Sequence, residues 1–393
     1  MARQKGKIKN RSFLYRFSLW LHLWLGLISG VVIVVVSLTG AALVYEEELR
    51  LLLQGYQSVA LQDEQFSPPS QIAESVKQQY KLDGVSSVIY RGATRSAIVP
   101  YYGDRENQVV HFVNPYSGEV LKQQRLDTDF FRQMVIGHYQ LWLPRNIGKP
   151  IVAYGTLIFV IALITGMILW WPKKWKKREV KNALTIKWKA KFKRVNYDLH
   201  NVLGFYSLLV ALILALTGMV YGMQWFKDAS YYVASAGKSQ PEFKRFVSDT
   251  TVESNYWQAD EDRLLTQAIN DGVDLQTHQF AIYYPRNKSA VWGTETNPTT
   301  KSRWKSIKAS YEQGSLKKLN VDLPFSEING GDQLMRINYD LHVGAIGGQW
   351  TKILAFLVCL ISASLPITGF IVWWKKSKNK RWRALRFPLF SDR

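Results

Sequence analysis

The sequence predicts a membrane protein: a four-helix transmembrane bundle made of two parallel repeats, each carrying an α+β module outside the membrane. Three observations predict it. Four long stretches lack any Asp, Glu, Lys or Arg, the basic residues crowd into the segments at one end of those stretches, and the apolar stretches echo one another at fixed offsets.

The uncharged stretches are 17–45, 150–172, 199–226 and 353–374. Each reaches the roughly 20 apolar residues that cross a bilayer core as a helix. Backbone groups in lipid must be satisfied within the segment, so helices are the form these stretches take. The predicted spans are 18–45, 150–172, 198–226 and 350–374. The first is far longer than the apolar region of a signal peptide and is followed by a weak cleavage site, "LTGAALVYEEE", so it is read as an anchor.

Alternating spans put 1–17, 172–197 and 375–393 on one side. These segments hold 25 Lys/Arg against two acids, Glu179 and Asp392, a balance of +23 in a chain of net charge +21, leaving −2 for everything else. The basic excess is therefore a positive-inside signal that places both termini, the loop 173–197 and the tail 375–393 in the cytoplasm. It also predicts contact with anionic lipids. Nucleic acid is excluded as a partner, because these cations flank membrane spans instead of paving a folded face. The single cysteine, Cys359, lies in the fourth span, which excludes disulfides, Cys-ligated iron–sulfur clusters and a C-x-x-C-H haem attachment.

The exterior segments 46–149 and 227–349 each read as a small α+β module. "SPPSQIAESVKQQY" (67–80) has a proline–serine start and helix-period apolar residues Ile72, Val76 and Tyr80. Alternating runs follow in "VSSVIYRG", "SAIVPYYG" and "NQVVHFVNPYSGEVL", the last turning at Asn114–Gly118. The second segment repeats the order, with "DEDRLLTQAIND", "HQFAIYYPRN", "SAVWGTETN" and "ASYEQGSLKKL".

The spans repeat more sharply. His22, Gly26, Thr39 and Gly40 precede His200, Gly204, Thr217 and Gly218 by 178 residues in every case. Thr165, Gly166, Trp170 and Trp171 precede Thr368, Gly369, Trp373 and Trp374 by 203, and His138 precedes His342 by 204. Both copies start from the same side, so the repeats are parallel, related by an axis along the membrane normal.

Four of the six histidines thus fall into two repeat-related pairs. An axis of this kind sets His22 opposite His200 on the cytoplasmic side and His138 opposite His342 on the outer side. Two imidazoles approaching from opposite sides are what a six-coordinate b-type haem iron requires, and helix bundles build cofactor sites from facing side chains. Two b-type haems are therefore expected. Gly26 and Gly204, one turn along from His22 and His200, are expected to clear room for the macrocycle. Zinc or copper centres need three or four clustered ligands, which the spacing does not offer. A proton relay is a further reading, although the spans lack the buried carboxylates such relays use. Met134 or Met335 is an alternative outer ligand. An unbroken second helix would put His138 about 34 Å from the middle of its span, so a bend is expected around Pro144 and Pro150, and another at Gly347–Gly348. His111 and His278 read as ordinary strand residues with possible access to a substrate.

Four stretches together, "LHLWLGLISG…SLTGAALVYEEEL", "HYQLWLPRNIGKPIVAYG…LITGMILWWPKK", "YDLHNVLGFYSLLVALILALTG" and "DLHVGAIGGQW…LPITGFIVWWKK", resemble the spans of the PepSY-associated transmembrane family. "VNPYSGEVL" is similar to the closing hairpin of a PepSY module. The resemblance implies two periplasmic PepSY-like modules and a bacterial inner-membrane location. It also implies the function of the di-haem ferric-siderophore reductases of that family, with His22, His138, His200 and His342 on the motif histidines. On that reading a ferric siderophore is the substrate, with Tyr101, Tyr102, Tyr283 and Tyr284 as candidates to line its docking surface. The 26-residue segment 172–197 is too short for a nucleotide-binding domain, so the electron donor is a quinol or a separate cytosolic reductase. Two other readings stand beside it: a non-redox binding or regulatory membrane protein, and an accessory subunit of a transporter.

Overall fold

The computed structural model of the chain describes residues 12–103, 108–172, 175–242, 244–251, 258–298 and 302–377. Much of the basic first segment (1–11) and nearly all of the basic tail (378–393) lie outside the described residues. In chain order, a long helix α1 (Phe13–Val44) leads to a short α2 (Glu46–Leu53), α3 (Pro69–Tyr80) and strands β1 (Ser87–Tyr90), β2 (Ala97–Tyr102), β3 (Gln108–Val113) and β4 (Val120–Arg125). Helix α4 (Phe130–Gln140) precedes the second long helix, α5 (Arg145–Trp170), and a short α6 (Lys177–Leu184). Then α7 (Phe192–Asp198), a π-helical turn (Leu199–Leu203) and α8 (Gly204–Gly222) run on as one helix of 31 residues. After α9 (Gln224–Ala234) and α10 (Asp260–Asn270) come β5 (Gln279–Tyr283), β6 (Trp292–Asn297), β7 (Ile307–Tyr311) and β8 (Lys318–Val321). Helix α11 (Gly330–His342) and the fourth long helix, α12 (Gln349–Ser377), complete the chain.

Two compact units result. The first contains the four long helices, each long and apolar enough to cross a membrane. Helix α1 packs on α5 and α12, and α8 packs on the same two, so the four close into a ring. Most of the residues they bury are small or hydroxylated, among them Ser29, Gly30 and Ser37 of α1, Gly155 and Ala162 of α5, and Ser207, Ala211 and Ala215 of α8, with a minority of larger ones such as Ile33, Leu163 and Met219. Many large apolar residues point outward, with Val31 77% and Leu209 69% exposed. That inversion is the mark of a bundle whose solvent is lipid, where close backbone approach and not apolar burial holds helices together. A Cβ on Gly30 would stand 3.1 Å from Pro366 Cβ, and one on Gly155 only 2.9 Å from Val32 Cγ1.

The chain reverses ahead of both α5 and α12. Helix α4 ends at Gln140, Leu141 and Trp142 adopt φ of 57° and 56°, and Pro144 leads into α5. A Cβ on Gly137 would fall 2.2 Å from the Trp142 ring, and one on Gly148 would overlap the Gln140 carbonyl, so this turn closes only over glycines. Pro150 takes no part in the bend expected there; it sits inside α5, where near the helix start its missing N–H deletes one intrahelical bond. In the second half the reversal uses Gly344 and Gly348, at φ 73° and 66°, where glycine alone is unstrained.

The second unit takes in most of both exterior segments. The sequence predicts two modules; their strands join into one antiparallel sheet, in the order β4-β3-β2-β1-β5-β6-β7-β8. The seam is the β1–β5 pairing, from Ser87 opposite Tyr283 to Tyr90 opposite Phe280. Joining there removes two apolar edges that each module alone would leave unpaired. Helices α3 and α10 share one core with the sheet, Ile72, Val76, Leu264 and Leu265 packing with Val88, Tyr90 and Phe280. Asp262 ties the helices by accepting from the backbone N–H and hydroxyl of Ser70, at 2.9 and 2.6 Å. The hairpin turns read from sequence place Gly118 and Gly314 at φ 75° and 73°, and each hairpin carries an irregularity at the matching point, after Phe112 and after Ser310.

Candidate functional site

All four repeat-related histidines lie in the helical unit. His22 is on α1 and His200 on the π-helical turn inside the third long helix, a distortion that re-aims side chains and recurs at functional sites. Their ring centroids are 6.1 Å apart with planes at 76°. His138 and His342 come from α4 and α11, and their centroids are 6.0 Å apart with planes at 60°. The reversal before α5 explains how His138 reaches a partner. Instead of continuing outward it packs beside Val36, Thr39 and Gly40 of α1. His22 and Thr39 stand 17 residues apart in one helix, so the two pairs are separated by about 26 Å along it at about 1.5 Å per residue.

Each imidazole is seated in the same kind of socket. His22 Nδ1 donates to the Ala162 carbonyl at 2.9 Å and lies 3.3 Å from Thr165 Oγ1. For His138 the partners are the Val36 carbonyl at 2.8 Å and Thr39 Oγ1 at 3.2 Å. For His200 they are the Leu365 carbonyl at 3.1 Å and Thr368 Oγ1 at 3.0 Å. His342 meets the Leu214 carbonyl at 3.1 Å and Thr217 Oγ1 at 3.0 Å. The next residue is a glycine in all four, Gly166, Gly40, Gly369 and Gly218, and a Cβ there would stand 3.1 Å from the histidine's Cε1.

A carbonyl only accepts, so Nδ1 carries the proton in each ring and Nε2 is the lone-pair nitrogen of the neutral imidazole. Each threonine hydroxyl donates to a carbonyl of its own helix, as Thr39 does to Val35 at 2.7 Å and Thr217 to Ile213 at 2.7 Å. The oxygen's lone pairs are thereby left facing the imidazole. A second contact of this type fixes ring orientation and raises ligand basicity. These threonines and glycines enter the sequence reading only as repeat markers; the signal for their role is that the Thr-Gly pairs recur at offsets of 178 and 203 and the histidines at 178 and 204.

Two imidazoles on opposite sides of one metal ion, at metal–nitrogen distances of about 2 Å, have ring centroids about 6 Å apart. Both pairs match that spacing. No group of three or more His, Cys, Asp or Glu converges to hold a bare ion among the described residues, so any metal here must bring its other ligands with it. Of the two glycines expected to give clearance, Gly26 borders open space, with nothing within 4 Å of a Cβ, while Gly204 makes an ordinary contact with Leu365 at 3.6 Å.

The other two histidines are not part of this arrangement. His111 is wholly buried in the sheet unit, donating from Nδ1 to the Val99 carbonyl at 3.1 Å, with Gln123 Nε2 3.1 Å from its Nε2 and the Tyr80 ring beside it. It is a core residue closed to substrate. His278 holds a turn through the Asp274 carbonyl at 3.0 Å. Of the four tyrosines, Tyr102 and Tyr283 are exposed, whereas Tyr284 packs on Trp292 and its phenol is held well above its ordinary range by burial and by Glu261.

No curated protein matches the chain. The model of one family, described as the PepSY-associated TM region, matches residues 19–376. That match runs from the first long helix to the fourth and takes in every histidine socket, and the chain belongs to the PepSY-associated transmembrane family.

Proposed function

We propose that this protein is a di-haem b electron-transfer protein of a bacterial inner membrane, reducing ferric siderophores in the periplasm so that iron is released as Fe(II). His22 and His200 would hold one haem, on the cytoplasmic side, and His138 and His342 would hold the other. The observation that carries this reading is the pair of imidazole spacings, 6.1 and 6.0 Å, with Nδ1 engaged in all four rings. Haem would bring the iron ligands that the chain does not offer and, bound at each pair, would provide a one-electron Fe(III)/Fe(II) couple. The chain's own residues fix ring orientation, hold the Nδ1 proton and keep water from the apolar bundle. The placing of the basic segments supports cytoplasmic termini, and hence periplasmic exterior segments. The four sockets, alike at offsets of 178 and 203 to 204, support two parallel repeats. A quinol or a cytosolic reductase supplies electrons.

The visible spectrum tests this directly. Protein purified from haem-replete cells is expected to be red, with a Soret band that shifts on dithionite and reoxidises anaerobically on addition of a ferric siderophore. Ring planes at 76° and 60° also lead us to expect highly anisotropic low-spin signals by electron paramagnetic resonance, not the rhombic spectrum of parallel imidazoles. A colourless protein would falsify the haem reading and favour a non-redox binding or regulatory role. A red protein inert to ferric siderophores removes the substrate and keeps the cofactor.

The sockets make a smaller prediction. Thr217→Val keeps the shape and removes the oxygen 3.0 Å from His342 Nδ1, leaving the Leu214 carbonyl as acceptor. Both haems are expected to remain, with the midpoint potential of one raised by some tens of millivolts, since about 59 mV is a tenfold change for one electron. A weaker acceptor at Nδ1–H makes the imidazole a poorer donor to Fe(III). Potentiometric titration decides it, and two unchanged potentials deny the threonines a tuning role.

A further inference from the structure

The cleft between α7 and the end of α12 is a feature of the helical unit that the haem reading does not use. It encloses about 500 Å³, with Lys191, Lys193, Arg194 and Lys375 around it and Tyr197, Ile371 and Val372 as its apolar wall. Of the four cations, only Arg194 has a carboxylate partner among the described residues, Asp198 at 2.9 Å. Lys375 lies over the Phe192 ring at 4.0 Å, which holds its ammonium at the cleft. The site therefore keeps an excess of three positive charges above an apolar surface.

The other copy of the repeat shows that the bundle does not need these cations. Shifting by 178 and 203, the offsets that superpose the sockets, sets Phe13, Tyr15, Arg16 and Pro172 against Lys191, Lys193, Arg194 and Lys375. One cation stands where the second copy has four, while histidine, threonine and glycine are the same in both. The charge is thus a property of this cleft and not of the fold.

We propose that the cleft seats the head group of an anionic phospholipid, its phosphate among Lys191, Lys193 and Lys375 and the start of an acyl chain along Ile371 and Val372. A basic rim over an apolar wall at the end of a membrane helix complements that amphiphile and no neutral one. The seat lies two hydrogen bonds from a haem ligand: Asn196, in the cleft, donates to the Thr368 carbonyl at 3.0 Å, and Thr368 Oγ1 is 3.0 Å from His200 Nδ1. The proposal itself does not depend on haem.

The test uses the full-length protein in nanodiscs of phosphatidylcholine with a minor fraction of phosphatidylglycerol, the bound lipids being counted by native mass spectrometry. Wild-type protein is expected to retain one phosphatidylglycerol in preference to phosphatidylcholine. At about fivefold per basic residue near a membrane surface, the triple variant K191Q/K193Q/K375Q should lose roughly 100-fold of that preference. A control triple on α6, K177Q/R178Q/K181Q, removes the same charge from the basic loop that also carries Lys191 and Lys193, and should keep it. Equal retention of the two lipids by the wild type overturns the proposal without recourse to any variant. Equal loss in both triples also overturns it, by making the effect general surface charge. Displacement of the lipid by millimolar inorganic phosphate would assign the cleft to a soluble anion instead.

Discussion

His200→Ala is expected to yield a folded protein whose haem content falls from about two per chain to about one, with the His138/His342 spectrum intact. Alanine removes an imidazole whose Nδ1 is shared between the Leu365 carbonyl and Thr368 Oγ1. The structural loss is about one hydrogen bond, roughly 1 kcal/mol, because Thr368 still donates to Ser364 at 2.9 Å. The ligand loss is far larger, since one imidazole cannot hold a six-coordinate iron. Double variants then read the pairing itself. His22→Ala with His200→Ala should cost no more haem than either alone, because both act on one site. His200→Ala with His342→Ala should leave none. If the pairs instead ran along each half of the chain, the first double variant would be the empty one. Pyridine haemochrome assay of the purified variants decides between these patterns.

The parts of this fold that could be read from sequence are those set by local composition. Four uncharged stretches have only one form available in lipid, and α3 and α10 announce themselves by a first-turn proline or acids and by apolar residues at helical spacing. Helices α4 and α11 were not legible in that way. They are short, and their place depends on a reversal built from positive-φ residues at Leu141 and Trp142 in one half and from Gly344 and Gly348 in the other. No single motif encodes both turns: the prolines and Gly347–Gly348 signal that the chain bends, but not that it reverses far enough to bring His138 beside α1. The joining of the two exterior modules was equally hidden, because an antiparallel β1–β5 seam pairs residues 190 to 196 positions apart in the chain. The histidine pairs were legible from the internal offsets. Their tautomers were not, since Nδ1 is held by carbonyls of a neighbouring helix that only packing brings near.

The sockets also link assembly of the bundle to construction of the sites. Helix α5 receives His22 from α1, and α12 receives His200 from the third long helix. Helices α1 and α8 in turn receive His138 and His342. Every long helix therefore supplies one Thr-Gly seat, and none of the four histidines is oriented by its own helix. The i−3 carbonyl used at each seat is the one to which the threonine hydroxyl also donates, at 3.0 to 3.1 Å, so side chain and backbone present two acceptors side by side. Glycine follows because an imidazole held at that distance lies against the helix backbone. Sequence order Thr-Gly is thus a geometric requirement of the seat, which is why it recurs four times.

Gly218→Leu should test that requirement without touching a ligand. A Cβ at Gly218 lies 3.1 Å from His342 Cε1, a separation an alanine can meet by a shift of a few tenths of an ångström. A leucine's branched end occupies the ring's own seat, and overpacking of this sort costs about 1–3 kcal/mol. Gly218→Ala is expected to keep both haems with a moved potential at one. Gly218→Leu is expected to lose the His138/His342 haem, as His342→Ala would. Gly26→Leu separates seat from clearance. Nothing lies within 4 Å of a Cβ there, so in a chain that holds no macrocycle this leucine is harmless to stability. If the open space beside Gly26 is where a haem lies, the same leucine removes the His22/His200 haem while the helices stay folded by circular dichroism. Retention of both haems in Gly26→Leu would take the clearance role from Gly26 and leave the four Thr-Gly seats as the only positions that the ligand geometry demands.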